Sequence, residues 1–146
     1  MNPMRRSLAA ALAVIVLKPF AALATTWNKE GFGAKTPADA LKTLGAANPV
    51  ASKDLLIEAP QIAENGAVVP IEITSNIPGT TSLAVLIDKN PFPLVGKFEF
   101  MEGALPFVKL NVKVGESSDV RVIAEAGGRH YVATKEIKVT IGGCGG

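Results

Sequence analysis

The stretch Val108-Lys109-Leu110-Asn111-Val112-Lys113-Val114 swaps apolar and polar residues at every step. Successive side chains of a β-strand point to opposite faces, so this is a strand with one face buried and one in water. Runs of similar character lie on both sides of it. Residues 55–59 stop at Pro60, residues 67–74 follow an Asn65-Gly66 turn, and residues 82–88 follow the loop Ser75-Asn76-Ile77-Pro78-Gly79. Residues 97–101, 119–125 and 131–141 complete the set, the last beyond a Gly127-Gly128 turn. Between them, Lys89-Asn90-Pro91-Phe92-Pro93 cannot ladder, because neither proline has an N–H to donate. Seven short strands with turns at regular intervals predict an all-β fold, an immunoglobulin-like antiparallel β-sandwich. The Cys–Trp–Cys pattern of antibody domains is absent.

Upstream, the period changes. Thr36 can cap a helix, Pro37 suits its first position, and Asp39 suits the positive end of its dipole. The helix runs through Leu44, and Gly45 suits its end. At about two turns, this short N-terminal helix is expected to pack on a sheet edge. Trp27, just ahead of it, lies in a segment expected to be mobile.

Composition narrows the function. The chain has 146 residues, 15 Lys+Arg against 13 Asp+Glu, one His and one Cys. That length favours a single domain. One Cys excludes an internal disulfide framework, and one Cys with one His excludes a zinc site built from those residues alone.

Residues 1–24 read as an export signal peptide. Arg5-Arg6 open it, residues 8–17 are apolar, and Ala22-Leu23-Ala24 offers a small-x-small cleavage site. The apolar run is too short to span a bilayer, which takes about 20 residues. A buried N-terminal helix is the alternative. The arginine pair points to the twin-arginine route rather than general secretion. Cleavage would leave 12 basic residues against 13 acidic, so the mature chain has no charge footprint for nucleic acid and no membrane span. Export places the lone thiol in an oxidising compartment.

Few residues carry chemistry. There is no glycine-rich phosphate loop, no hydrolase triad and no cluster that suggests a metal or cofactor. His130 sits beside a Gly-Gly turn and reads as an ordinary turn residue. Asp88, Glu99 and Glu102 could gather near the proline loop, as weak candidates only. The exception is the end of the sequence, Gly142-Gly143-Cys144-Gly145-Gly146. Glycine adds no packing and costs the most entropy to order, so these residues predict a flexible tether beyond the last strand. The three residues from Ile141 to Cys144 extend about 10 Å. The segment presents one sulfur on an arm thin enough to enter a narrow channel. A disulfide anchor between molecules is the competing use of the same thiol.

Val139-Thr140-Ile141-Gly142-Gly143-Cys144-Gly145-Gly146 resembles the end of the SoxY family, the sulfur-carrier subunits of the bacterial thiosulfate-oxidising Sox system. The segments around Pro37-Ala38, Asn76-Ile77-Pro78-Gly79 and Asn90-Pro91-Phe92-Pro93-Leu94-Val95 resemble it too. The resemblance implies a periplasmic, non-catalytic carrier with no cofactor. It implies a heterodimer with SoxZ. It implies sulfur intermediates held on Cys144, with Gly142, Gly143, Gly145 and Gly146 as the swinging arm. It further implies docking with the SoxXA cytochrome, which conjugates thiosulfate oxidatively. SoxB hydrolyses off sulfate, and SoxCD, where the organism has it, oxidises the remaining sulfane. The division expected is residues 1–24 as signal, 25–141 as sandwich domain and 142–146 as arm.

Physical chemistry fits that division of labour. A covalent adduct cannot diffuse away between enzymes, and a tether holds it near the docking surface. A free thiol titrates at about 8.5, and a nearby terminal carboxylate disfavours a second negative charge. Activation is then left to each partner. A disulfide-linked dimer through Cys144 is expected in unreduced protein. The alternative function is an exported structural or interaction domain whose tail cysteine only crosslinks subunits. A Cys-nucleophile enzyme is disfavoured, since that chemistry needs an adjacent base.

Overall fold

The computed structural model describes residues 26–140. The proposed signal at 1–24 and the pentapeptide at 142–146 lie outside the described residues. Two short helices come first, α1 (Lys29–Gly33) and α2 (Pro37–Thr43). Nine strands follow among the described residues: β1 (Val50–Ala51), β2 (Leu55–Glu58), β3 (Ile62–Ala63), β4 (Val69–Ser75), β5 (Thr80–Ile87), β6 (Leu94–Glu99), β7 (Phe107–Val112), β8 (Ser118–Ala126) and β9 (Arg129–Val139).

The strands form two sheets. The larger has the order β1-β9-β8-β5-β6, with β3 also on β9, and the smaller has the order β2-β4-β7. The main ladders are antiparallel, and the two-residue strands β1 and β3 both run parallel to β9. The alternating stretch became β7 as its period dictates. Val108 and Val112 are buried while Lys109 and Asn111 face water, and pairing Ile73 with Val108 and Val69 with Val112 puts both strands' apolar faces inward. These meet Leu83, Val85, Ile87, Val120, Val122 and Ile137 of the larger sheet in one core. Seven expected strands correspond to β2 and β4–β9. Strands β1 and β3 were not expected, because two residues carry no period.

The helix is where expected but its packing is not. The Thr36 hydroxyl accepts from the Asp39 N–H (3.1 Å) and donates to its carboxylate (2.8 Å). That bond, with Lys42 beside it, holds the Asp39 carboxyl below the ordinary carboxylate range. At the other end Gly45, with φ of 69°, donates to Lys42 O, and Ala46 donates to Leu41 O. This is the paired-bond ending that glycine permits. Rather than sitting on an edge, α2 lies on the outer face of the larger sheet. Ala40 and Leu41 pack on Ala84 and Leu86 of β5, Ile123 of β8 and Leu94 of β6. The reason is in β5, where all residues from Ser82 to Ile87 are buried. A central strand apolar on both faces needs cover on both. Trp27 stacks on Phe32 with ring centroids 4.4 Å apart.

This second core is open to a direct test. Leu86 is fully buried and faces the helices. Leu86→Ala should cost about 2–5 kcal/mol, read as a lower urea midpoint at an unchanged slope. A midpoint equal to wild type would mean that the helices do not cover this face.

Candidate functional site

The last strand leads toward the segment that carries Cys144. Strand β9 pairs with β8 only as far as Ile137, opposite Ser118. Beyond that point three other groups hold it. On one edge the N–H groups of Lys138 and Thr140 donate to Gln61 O (2.9 Å) and Ala63 O (3.2 Å), the parallel pairing that β3 provides. On the other, the Val139 N–H donates to the Ser117 hydroxyl (2.9 Å), a side chain standing in where β8 has ended. The backbone is therefore bonded out to Thr140, and Cys144 lies four residues further along the chain.

Backbone packing at this root is tight. The Val114 N–H donates to Gly66 O (2.7 Å). A Cβ on Gly66 would collide with the Val114 carbonyl oxygen and stand 2.9 Å from Val139 Cγ1. The Asn65 carboxamide accepts from the Ala67 N–H (2.9 Å) and closes the turn. Only glycine fits between β7, the turn and β9.

The same end of the sandwich carries the proline loop. Residues 88–93 link the end of β5 to the start of β6, and residues 113–117 link β7 to β8. Asn90 ties the two loops. Its carboxamide donates to Lys113 O (2.8 Å) and accepts from the Gly115 N–H (3.2 Å). The Lys89 N–H donates to the Ser118 hydroxyl (3.0 Å). The sequence marked the proline segment as a break in strand pattern and as part of the family resemblance. Its proximity to the end of β9 follows from topology, which no local pattern reveals.

The weak acidic candidates are not brought together. Asp88 follows β5, whereas Glu99 pairs with Ser82 at the opposite end of the β5–β6 hairpin, and Glu102 lies beyond it. Six strand residues, about 20 Å, separate Asp88 from that end. Asp88 is committed elsewhere, gripped by Arg121 Nε (3.2 Å) and Nη2 (2.6 Å). That bidentate contact holds the Arg121 guanidinium above its usual value against the cost of its burial. Glu99 bonds Lys97 (3.0 Å). His130 faces Glu125 at the start of β9. Nine strand residues from Val139 to His130 amount to about 30 Å, whereas four residues beyond Thr140 reach about 14 Å. No imidazole of this chain can serve Cys144 as a base. Among the described residues, no group of three or more His, Cys, Asp or Glu could hold a metal, and no helix is long and apolar enough to cross a membrane.

The SoxY family, described as sulfur oxidation protein SoxY, matches residues 40–144. The chain belongs to that family. The match runs through the sandwich, the root and the cysteine. Among solved structures, the sulfur carrier protein SoxY from Chlorobium limicola f thiosulfatophilum is similar with 36% identity and a TM-score of 0.65. It covers 70% of this chain and 94% of its own. A superoxide reductase (neelaredoxin) from Ignicoccus hospitalis shares the fold, with 20% identity, a TM-score of 0.53, and 72% and 93% of the two chains covered. No curated protein sequence matches.

The steric account of this SoxY-family root predicts its weak point. Gly66→Ala must push β7 away from β9 and should lose about 1–3 kcal/mol. Gly33→Ala, where a Cβ meets nothing within 4 Å, serves as the control. Thermal melts should separate the two variants, and identical melting temperatures would remove the close approach from the argument.

Proposed function

We propose that this protein is a covalent carrier in periplasmic sulfur oxidation, holding intermediates on Cys144 and presenting them to partner enzymes. The observation that carries the reading is Gly142-Gly143-Cys144-Gly145-Gly146 following the last strand of a SoxY-family sandwich. The signal at residues 1–24, with its Arg5-Arg6 pair, supports export by the twin-arginine route. A root bonded out to Thr140 supports the arm, since it gives the thiol a fixed pivot and a reach of about 14 Å. Confining the load to that radius raises its local concentration at any enzyme docked there.

The chemistry needs little from the carrier. Conjugation joins the outer sulfur of thiosulfate to the Cys144 sulfur, releasing one proton and two electrons, which the SoxXA cytochrome accepts. Water then cleaves the terminal sulfonate within SoxB, releasing sulfate and one proton and leaving a protonated persulfide on Cys144. Neither step calls for a base, metal or cofactor in this chain. The protein's part is to bind covalently, extend and let go.

A second subunit, SoxZ, completes the reading. On the outer face of the smaller sheet, Leu56, Thr74 and Phe107 form one row in register. Leu56 and Phe107 are 43% and 47% exposed, and Leu105 and Met101 beside that end are more so. Apolar surface of this kind on a soluble domain suits a permanent partner. This row lies at the start of β7, opposite the arm root, so a subunit seated there leaves the arm free.

Two experiments test the proposal. Intact-mass analysis should find a reductant-labile sulfur adduct on wild type and none on Cys144→Ser, which should lose all thiosulfate turnover while melting normally. A Cys144→Ser chain that keeps turnover and loses only a covalent dimer would show a crosslinking tail instead. Co-expressed with SoxZ, wild type should elute as a heterodimer burying more than about 1,000 Å². Phe107→Asp should split it, and a pair untouched by that change would place the interface elsewhere.

A further inference from the structure

We propose that the end face around the arm root is the surface on which the sulfur-processing enzymes seat, with Phe92 as its anchor. This inference rests on the carrier reading. An arm of about 14 Å between Thr140 and Cys144 cannot reach a recessed catalytic centre unless the channel mouth lies close against the root. Whatever surrounds the root therefore meets the enzyme.

Three features make that surroundings a recognition surface. Phe92 is half exposed, on a loop stiffened by Pro91 and Pro93 and pinned through Asn90 to Lys113 and Gly115. The link continues to the root, since Val114 bonds Gly66 and Gly66 lies against Val139. A rigid, exposed aromatic loses little entropy on docking and is the residue type that dominates interface energies. Lys35 Nζ lies 3.5 Å from the Phe92 ring centroid, presenting a cation on the aromatic face. Among the described residues no carboxylate pairs with that ammonium. Beside them a groove of about 520 Å³ runs between Asn90, Pro91, Phe92, Lys113 and Gly115.

The partner that fits is an enzyme with an apolar socket for Phe92 and a carboxylate at its rim for Lys35, next to a channel narrow enough for glycine. Because the glycines carry no side chains, the arm is the same to every enzyme, and this face supplies the affinity. The exposed row at Leu56 and Phe107 lies at the other end and is left to the second subunit.

Steady-state kinetics of the sulfate-releasing hydrolase, with loaded heterodimer as substrate, test the proposal. Phe92→Ala should raise KM about tenfold, leave kcat at saturating carrier unchanged, and leave melting temperature and subunit pairing as in wild type. Phe92→Tyr should behave as wild type, and Lys35→Glu should raise KM as Phe92→Ala does. An unchanged KM for both Phe92→Ala and Lys35→Glu would overturn the proposal. So would loss of the second subunit from Phe92→Ala, which would make this face the subunit interface. A wild-type chain that takes up no adduct overturns the carrier reading itself, and is told apart by mass alone.

Discussion

The structure depends on keeping β9 hydrogen-bonded along its whole length. An eleven-residue strand has two edges to satisfy, and one neighbour cannot cover both. Strand β8 takes one edge as far as Ile137, while β1 and β3 take parts of the other. The chain leaves the larger sheet after β1, crosses to the smaller as β2, and returns for two residues as β3 before crossing again. That detour makes sense as edge cover. It places Gln61 and Ala63 carbonyls where Lys138 and Thr140 need acceptors, while Ser117 supplies the acceptor that β8 no longer can.

The two ends of the sandwich then differ in kind. At one end, the turn at Asn65-Gly66, the proline loop and the loop before Ser118 are tied to each other and to β9 by backbone and carboxamide bonds. At the other, Met101, Leu105 and Phe107 expose apolar side chains. The proposed carrier would have to stay with one subunit and change enzymes repeatedly, and separating an apolar contact from a stiff face by the length of a strand would let both happen at once.

Much of this was legible in the sequence, wherever the signal is local and periodic. The seven strand runs, the Thr36 cap, the Gly45 stop and the Gly127-Gly128 turn rest on residues close to one another, and each formed, with β6 starting at Leu94 rather than Lys97 and β9 at Arg129 rather than Tyr131. What escaped were features that exist only between distant segments. The two-residue strands β1 and β3 have no period to detect. Burial of Ala84 and Leu86 under α2 was hidden because a continuous apolar run reads the same whether one face or two are covered. The link from Asn90 to residues 113–115, and from there to Val139, spans sequence separations that no spacing argument bridges. Cys144 was conspicuous because glycines around a lone thiol serve no folding purpose, and its placement in a family rests on motif rather than geometry.

What the sandwich withholds from the cysteine is as telling as what it provides. The one imidazole and the carboxylate nearest the proline loop are distant or engaged. His130 lies about 30 Å from the root along β9, outside the reach of the arm. Asp88, nearest the proline loop, is neutralised by a bidentate arginine, and the Ser117 hydroxyl is spent on the Val139 backbone. A carrier whose own surface activated its thiol would react indiscriminately between enzymes, in an oxidising compartment where any second thiol or disulfide is a competitor. In the proposed carrier, a sulfur with no imidazole in reach would stay slow until a partner supplied a base. Selectivity would then lie in docking, and a glycine arm, with no side chain for an enzyme to read, would move recognition onto the face from which it departs.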